Sequence, residues 1–191
     1  MREKRQAGFT LVEILPVLGI AMILGAISIM NVVPAIRKAR MDRAYQTVLM
    51  DLRRARQAAI DSRRVHQVSL IAPRTVQVQR LETDGTLTAV SSMDLPAEFS
   101  FAALSGIPVG SSATPDGFGT GSVAIDFNSS NQVFFQPNGS AQDATGAICN
   151  GVVYIARPEE PQSSRAISLF GATGRLKGWS LTERDGSLAW Q

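Results

Sequence analysis

From Ile14 to Ile36 the chain runs for 23 residues without a charged side chain, and Glu13 stands immediately before that run. At about 1.5 Å per residue, a helix of this length crosses a hydrocarbon core about 30 Å thick. The segment needs lipid or other helices around it, because water is a poor solvent for a helix that is apolar on every face. A carboxylate at the edge of such a helix is costly unless a cation answers it. An ammonium group and a carboxylate offset one another's desolvation, whereas either alone is penalised. Something should neutralise Glu13, and this requirement points to an assembly.

The residues before the run are Lys4-Arg5-Gln6-Ala7-Gly8-Phe9-Thr10-Leu11-Val12-Glu13. An ordinary secretory signal has an apolar core of about 7–15 residues followed by a small-x-small cleavage site. This run is longer, and the acid at its start is foreign both to that signal and to a plain signal anchor. The stretch Gly8–Glu13 resembles the class III signal of type IV pilins and type II secretion pseudopilins. The resemblance implies cleavage between Gly8 and Phe9 by a prepilin peptidase and N-methylation of Phe9. It also implies that Glu13 pairs with the free amine of a neighbouring subunit. The chain would then be a single-pass protein of the bacterial inner membrane with its head in the periplasm, and part of a filament after assembly.

Charge is distributed unevenly. Residues 37–64 hold nine basic and three acidic side chains, a net +6, whereas residues 65–191 hold seven basic and eleven acidic, a net −4. The high isoelectric point belongs to the stalk. The leader contributes Arg2, Lys4 and Arg5, while Arg37, Lys38, Arg40 and Arg43 flank the other end of the apolar run. Counting these charges alone would put the carboxyl side in the cytoplasm; the processing signal overrides that count. The one cysteine, Cys149, lies in a Gly-rich stretch and permits no intrachain disulfide. It reads as a small filler and not as a reactive thiol.

The expected organisation is a leader at 1–8, a transmembrane and filament-core helix at 9–36, an amphipathic continuation at 37–64 and a β head at 65–191. Pro16 and Pro34 each remove a helical hydrogen bond. Met41, Ala44, Tyr45, Val48, Leu52, Ala55 and Ala59 recur every three or four residues and define a stripe that should lie on the head. The arginines and Lys38 fall mostly on the other faces, the usual arrangement of a solvated helix side. From Val65 the period changes to two. Val65–Ile71 and Thr75–Leu81 read as a hairpin, with a further strand at Leu87–Val90 after Asp84-Gly85. Later strands are expected at 99–104, 123–127, 133–136, 152–156, 166–170 and 176–181, and residues 105–121, rich in Gly, Ser, Thr and Pro, as a loop. The fold class is α+β, with one long helix packed on an antiparallel sheet.

Within the head, Val133-Phe134-Phe135-Gln136-Pro137-Asn138-Gly139-Ser140 is followed later by Ala166–Phe170 and Gly171-Ala172-Thr173-Gly174-Arg175-Leu176-Lys177. Together with Leu52–Ile60 leading into Gln67–Leu70, these stretches resemble the GspH/FimT group of minor pilins and pseudopilins. The resemblance implies a subunit incorporated at or near the tip of a type II secretion pseudopilus. Its partners would be other pilins or pseudopilins and exoprotein cargo. The alternative it implies is a minor pilin of a type IV pilus, active in assembly or DNA uptake. Some members of the group bind DNA through a basic Gly-Arg-x-Arg turn, which Gly174-Arg175-Leu176-Lys177 resembles. Arg165, Arg175 and Lys177 are therefore candidate DNA-contacting residues, opposed by the head's net negative charge, since phosphate binding needs local positive potential.

Catalysis is not expected. One histidine, His66, expected on a strand surface, and one cysteine do not make a zinc set. No nucleophile–base spacing, phosphate loop or dinucleotide fingerprint is present. No cofactor is called for.

Overall fold

The computed structural model describes residues 11–110, 113–184 and 186–191, without the side chains of residues 27–31 and 184. Gly8 and Phe9 lie outside the described residues. One helix, α1 (Leu11–Ser62), precedes eleven strands: β1 (His66–Ile71), β2 (Thr75–Leu81), β3 (Leu87–Asp94), β4 (Ser100–Phe101), β5 (Ile125–Phe127), β6 (Gln132–Phe135), β7 (Ala141–Gln142), β8 (Gly151–Arg157), β9 (Glu160–Phe170), β10 (Arg175–Arg184) and β11 (Ser187–Trp190). A short 3-10 turn, Pro115–Gly117, interrupts the long loop before β5. The class is α+β, with antiparallel sheets.

Two compact units are present, one ending at Arg40 and the other comprising Met41–Gln191. In the first, α1 continues as helix through Pro16 and Pro34. Its described apolar side chains are open to solvent: Leu11 is 80 % exposed, Met22 71 % and Ile36 47 %. Among the described residues, no helix is long and apolar enough to cross a membrane. The span expected over 9–36 is not found as such: its described apolar side chains run to Ala26 and resume at Val32.

In the second unit, all seven positions of the expected stripe, with Leu49 added, are buried. Burying side chains the size of Val48 and Leu52 contributes about 1.5–3 kcal/mol each. They meet Val68 and Leu70 of β1, Val76 and Val78 of β2, Val133 and Phe135 of β6, and Val153, Ile155, Ile167 and Leu169 of β8 and β9 in one core.

The strands form two sheets in the orders β3-β2-β1-β6-β7 and β11-β10-β9-β8-β4, with β5 also pairing with β8. A backbone bond from Ala141 N to Gly171 O at 2.7 Å ties the sheets together. The second sheet is covered on both faces. Alternate residues of β8 and β9 go to opposite sides, so Val152, Tyr154 and Ala166, with Leu181 of β10, join a second core under Ala103, Ile107 and Phe118 of the long loop. The expected loop at 105–121 is thus also a lid over a hydrophobic face, which its Gly- and Ser-rich composition conceals.

Several elements differ from expectation. β3 continues to Asp94, β9 begins six residues earlier than expected at Glu160, and the candidate at 99–104 reduces to Ser100–Phe101. β7 and β11 were not expected; each is short and takes its pairing from a neighbour. His66 is not a surface residue. It is 3 % exposed, with Nδ1 3.1 Å from the carbonyl oxygen of Arg64. The reason is topological: β1 is paired on both edges, with β2 and β6, and even its polar residues Gln67 and Ser69 are buried.

Candidate functional site: the exposed apolar helix and the arginine turn

Glu13 lies in the first described turn of α1 and is exposed. Around it stand Leu11, Val12, Ile14, Leu15, Val17 and Leu18, each between 47 % and 80 % exposed. Large apolar surface open to water marks a site of lipid or protein contact. A single carboxylate set at the start of that surface can pair with one cation brought by whatever covers it.

The head carries a second site where the two turns singled out in the sequence meet. Arg56, on the helix, donates from Nε to the carbonyl of Gly139 and from Nη2 to the carbonyl of Thr173, both at 3.0 Å. The turn Pro137-Asn138-Gly139 and the turn Thr173-Gly174 are therefore cross-linked by one guanidinium. Gly174 has φ +62°, and a Cβ there would collide with the Gly139 carbonyl. Only glycine meets both demands, the left-handed backbone and the close approach. Arg53, Arg56, Gln57, Gly174, Arg175 and Leu176 line a depression of about 310 Å³. Among the described residues, no carboxylate pairs with Arg53 or Arg175.

The three candidate DNA-contacting residues do not share one surface. Arg175 and Lys177 are exposed, at alternate positions of β10. Lys177 Nζ lies 3.4 Å from the centroid of the Trp179 ring, a cation–π contact. Arg165 is 6 % exposed. Its Nε and Nη2 reach Asp42 Oδ1 at 2.9 and 2.8 Å, and Nη1 donates to the carbonyls of Ser163 and Ser164. A guanidinium so committed anchors β9 to the helix and is not open to phosphate.

Sequence reasoning placed Arg53 and Arg56 on a solvated face. No local spacing could have shown otherwise, since the two acceptors of Arg56 lie 83 and 117 residues away. Asp42 was missed for the same reason. Tyr45 packs against Gly178 so closely that any Cβ there would overlap its hydroxyl. Burial raises the Tyr45 hydroxyl above its ordinary pKa, opposed by the charges of Arg53 and Arg165. Cys149 is free and fully buried. Burial, then the charges of Asp143 and Asp126, push its thiol up to about 12. Among the described residues, no group of three or more His, Cys, Asp or Glu side chains could hold a metal ion.

No family model matches the sequence, and no curated protein matches it. Solved structures do match. The minor pseudopilin EpsH of the type 2 secretion system of Vibrio cholerae is 13 % identical, with a TM-score of 0.50 over 74 % of this chain and 97 % of that one. A second structure of EpsH is 16 % identical, with a TM-score of 0.50 over 78 % and 99 %. The type IV minor pilin FimU of Pseudomonas aeruginosa is 12 % identical, with a TM-score of 0.50 over 80 % and 94 %. At such identities the likeness is one of fold. With its helix packed on antiparallel sheets from Met41 onward, and this fold shared over most of its length, the chain has the fold of the minor pseudopilin EpsH and the type IV minor pilin FimU.

Proposed function

We propose that the chain is a minor pseudopilin of a type II secretion system, inserted in the bacterial inner membrane and assembled at or near the tip of a pseudopilus that moves exoproteins outward. One observation carries this reading: an apolar helix segment exposed on all its described faces, with a single carboxylate, Glu13, at its start. In the assembly step, a prepilin peptidase cuts between Gly8 and Phe9 and methylates the new amine. The helix then leaves lipid for a bundle of like helices, and Glu13 pairs with the amino terminus of a neighbouring subunit. The energetics favour this exchange, because helix packing replaces lipid contacts at little cost while two isolated charges become one pair. The mechanism is packing and requires no catalytic group.

The experiment has two readings. Mass spectrometry of the mature protein gives an amino terminus at methylated Phe9. Glu13→Gln lowers incorporation into filaments at least tenfold while the subunit remains in the membrane. Incorporation of Glu13→Gln at the native level overturns the reading.

A second reading is a minor pilin of a type IV pilus that contacts DNA. The exposure of Arg175 and Lys177 at the start of β10 favours it. Salt-sensitive binding of duplex DNA by the full chain, lost in Arg175→Ala with Lys177→Ala, would select it.

A further inference from the structure

We propose that the depression where the helix meets the start of β10 is a docking site for a carboxylate on a neighbouring filament subunit of a different chain, received by the guanidiniums of Arg53, Arg56 and Arg175. The inference rests on the reading of the chain as a filament subunit and names the surface and the chemistry of a contact between unlike subunits.

Three like charges converge here without an anion. Arg53 and Arg56 come from the helix and Arg175 from the first residue of β10, and all three line one depression of about 310 Å³. Arg53 and Arg175 are exposed, and Arg56 is half-buried. Arg56 donates to neutral carbonyls, those of Gly139 and Thr173. Among the described residues, no carboxylate pairs with any of the three. The acids nearest in sequence are committed elsewhere, Asp51 to Arg54 at 3.3 Å and Asp61 to Gln57 at 2.8 Å. Like charges gathered on one helix side repel one another, and a carboxylate set among them removes that cost.

The arrangement is built before any partner arrives. Its two carbonyl acceptors already fix the Arg56 side chain, so little rotamer freedom is left to lose on binding. Gly174 brings the turn before β10 against the helix, since its φ of +62° and its contact with the Gly139 carbonyl leave no place for a Cβ. That close approach is what brings Arg175 into one depression with Arg53 and Arg56. Guanidiniums recognise carboxylates through paired, charge-assisted hydrogen bonds, and a planar fork gives that recognition its direction.

The surroundings favour a protein carboxylate over nucleic acid as the occupant. Met50, 45 % exposed, stands one turn before Arg53 on the same helix side, and Gln57 stands one turn after it. Leu176 also lines the depression. Exposed methionine beside arginine is the composition of a protein–protein interface, where arginines act as anchors. Duplex binding needs a stripe of cations that tracks several phosphates. Here Lys177 is drawn to the Trp179 ring, Arg165 is buried against Asp42, and Asp51 and Asp61 lie on the same helix as Arg53 and Arg56. The footprint left is that of a single carboxylate. A minor subunit has unlike neighbours, so the carboxylate belongs to another pilin-type chain.

The test uses the full-length chain in cells that carry the other subunits of its filament, with the photo-cross-linker p-benzoylphenylalanine in place of Gln57, an exposed residue of the depression. Illumination is expected to join the chain to a different pilin-type subunit, at a segment that mass spectrometry shows to hold an Asp or Glu. Arg53→Glu with Arg175→Glu lowers the yield at least tenfold, and changing the identified acid of the partner to Lys returns it to within threefold. The neutral pair Arg53→Gln and Arg175→Gln, checked by an unchanged unfolding midpoint, lowers the yield at least threefold and guards against misfolding. A product made only of copies of this chain, a joined segment without an acid, or a yield indifferent to the charge changes overturns the proposal. So does duplex DNA binding that depends on Arg53 and Arg175 in the absence of the cross-link. Protein that is processed at Phe9 and incorporated, yet gives no cross-link, overturns this contact alone. Native incorporation of Glu13→Gln overturns the filament reading itself, and this contact with it.

Discussion

Arg56 and Gly139, 83 residues apart, are joined by a hydrogen bond of 3.0 Å from the guanidinium Nε to the backbone carbonyl. The same guanidinium holds Thr173 O, so one helical side chain locks two turns of two different sheets. Arg56→Ala should destabilise the full chain by about 2 kcal/mol, since hydrogen bonds to a charged donor contribute about 1.5–3 kcal/mol each and the site is half-buried. Arg56→Lys should recover less than half of this loss, because an ammonium lacks the fork that reaches both carbonyls. Thermal unfolding followed by circular dichroism measures both, and equal stability of Arg56→Ala and the unaltered chain would refute the clamp.

Asp42 and Arg165 form the other long-range tie. The Arg165 side chain is 7 % exposed and Asp42 46 %, with Nη2–Oδ1 at 2.8 Å. Asp42→Ala strands a buried guanidinium and should cost about 2–3 kcal/mol, less than the 3–5 kcal/mol typical of a fully buried pair. Asp42→Ala with Arg165→Met should be closer to the unaltered chain than Asp42→Ala alone. Chemical denaturation of the three variants checks the order.

Gly178 faces the hydroxyl of Tyr45 with no room for a Cβ. Gly178→Ala should therefore destabilise by about 1–3 kcal/mol, the usual cost of overpacking a core. Tyr45→Phe removes the nearer of two colliding atoms and leaves the ring carbon Cζ 2.6 Å from the added Cβ, so the double variant should recover part of the loss and be more stable than the sum of the two single changes. Strict additivity would show that helix and β10 are not in register as described.

Cys149 links burial to pH. The ordinary thiol value of 9.0 is pushed up to about 12 in the folded chain, and Tyr154 is likewise raised from 10.0 to about 12 by burial. Both groups stay neutral in the fold while the unfolded chain ionises. Their contribution is intact below about pH 9 and is lost as pH rises toward 12. Alkylation of Cys149 at pH 8 should follow the rate of opening, slower by at least a hundredfold than in urea. Rapid labelling of the folded chain would contradict the burial.

Much of this was legible in local pattern. The spacing of Met41, Tyr45, Val48 and Leu52 marked the buried helix face, and alternation located β2 to the residue and β1 to within one residue at its start. The single acid before an apolar run marked Glu13. What pattern missed was decided by partners remote in sequence. His66 is buried because β1 gains neighbours on both edges. Arg165 leaves the DNA-candidate set because Asp42 lies 123 residues away. Arg56 changes from a solvated cation to a clamp.

The sequence alone determined what needs no knowledge of distant neighbours: the apolar run and its one acid, the helix stripe, the strand period and the division of charge between stalk and head. These follow from free energies that depend on a residue and its near neighbours. Tertiary structure alone decided which arginines are spent and which are free, which polar side chains are buried, and that two turns meet under one guanidinium. The reason is that a charge's role depends on the dielectric and the partners around it, and those are fixed only when strands far apart in the chain come to lie side by side.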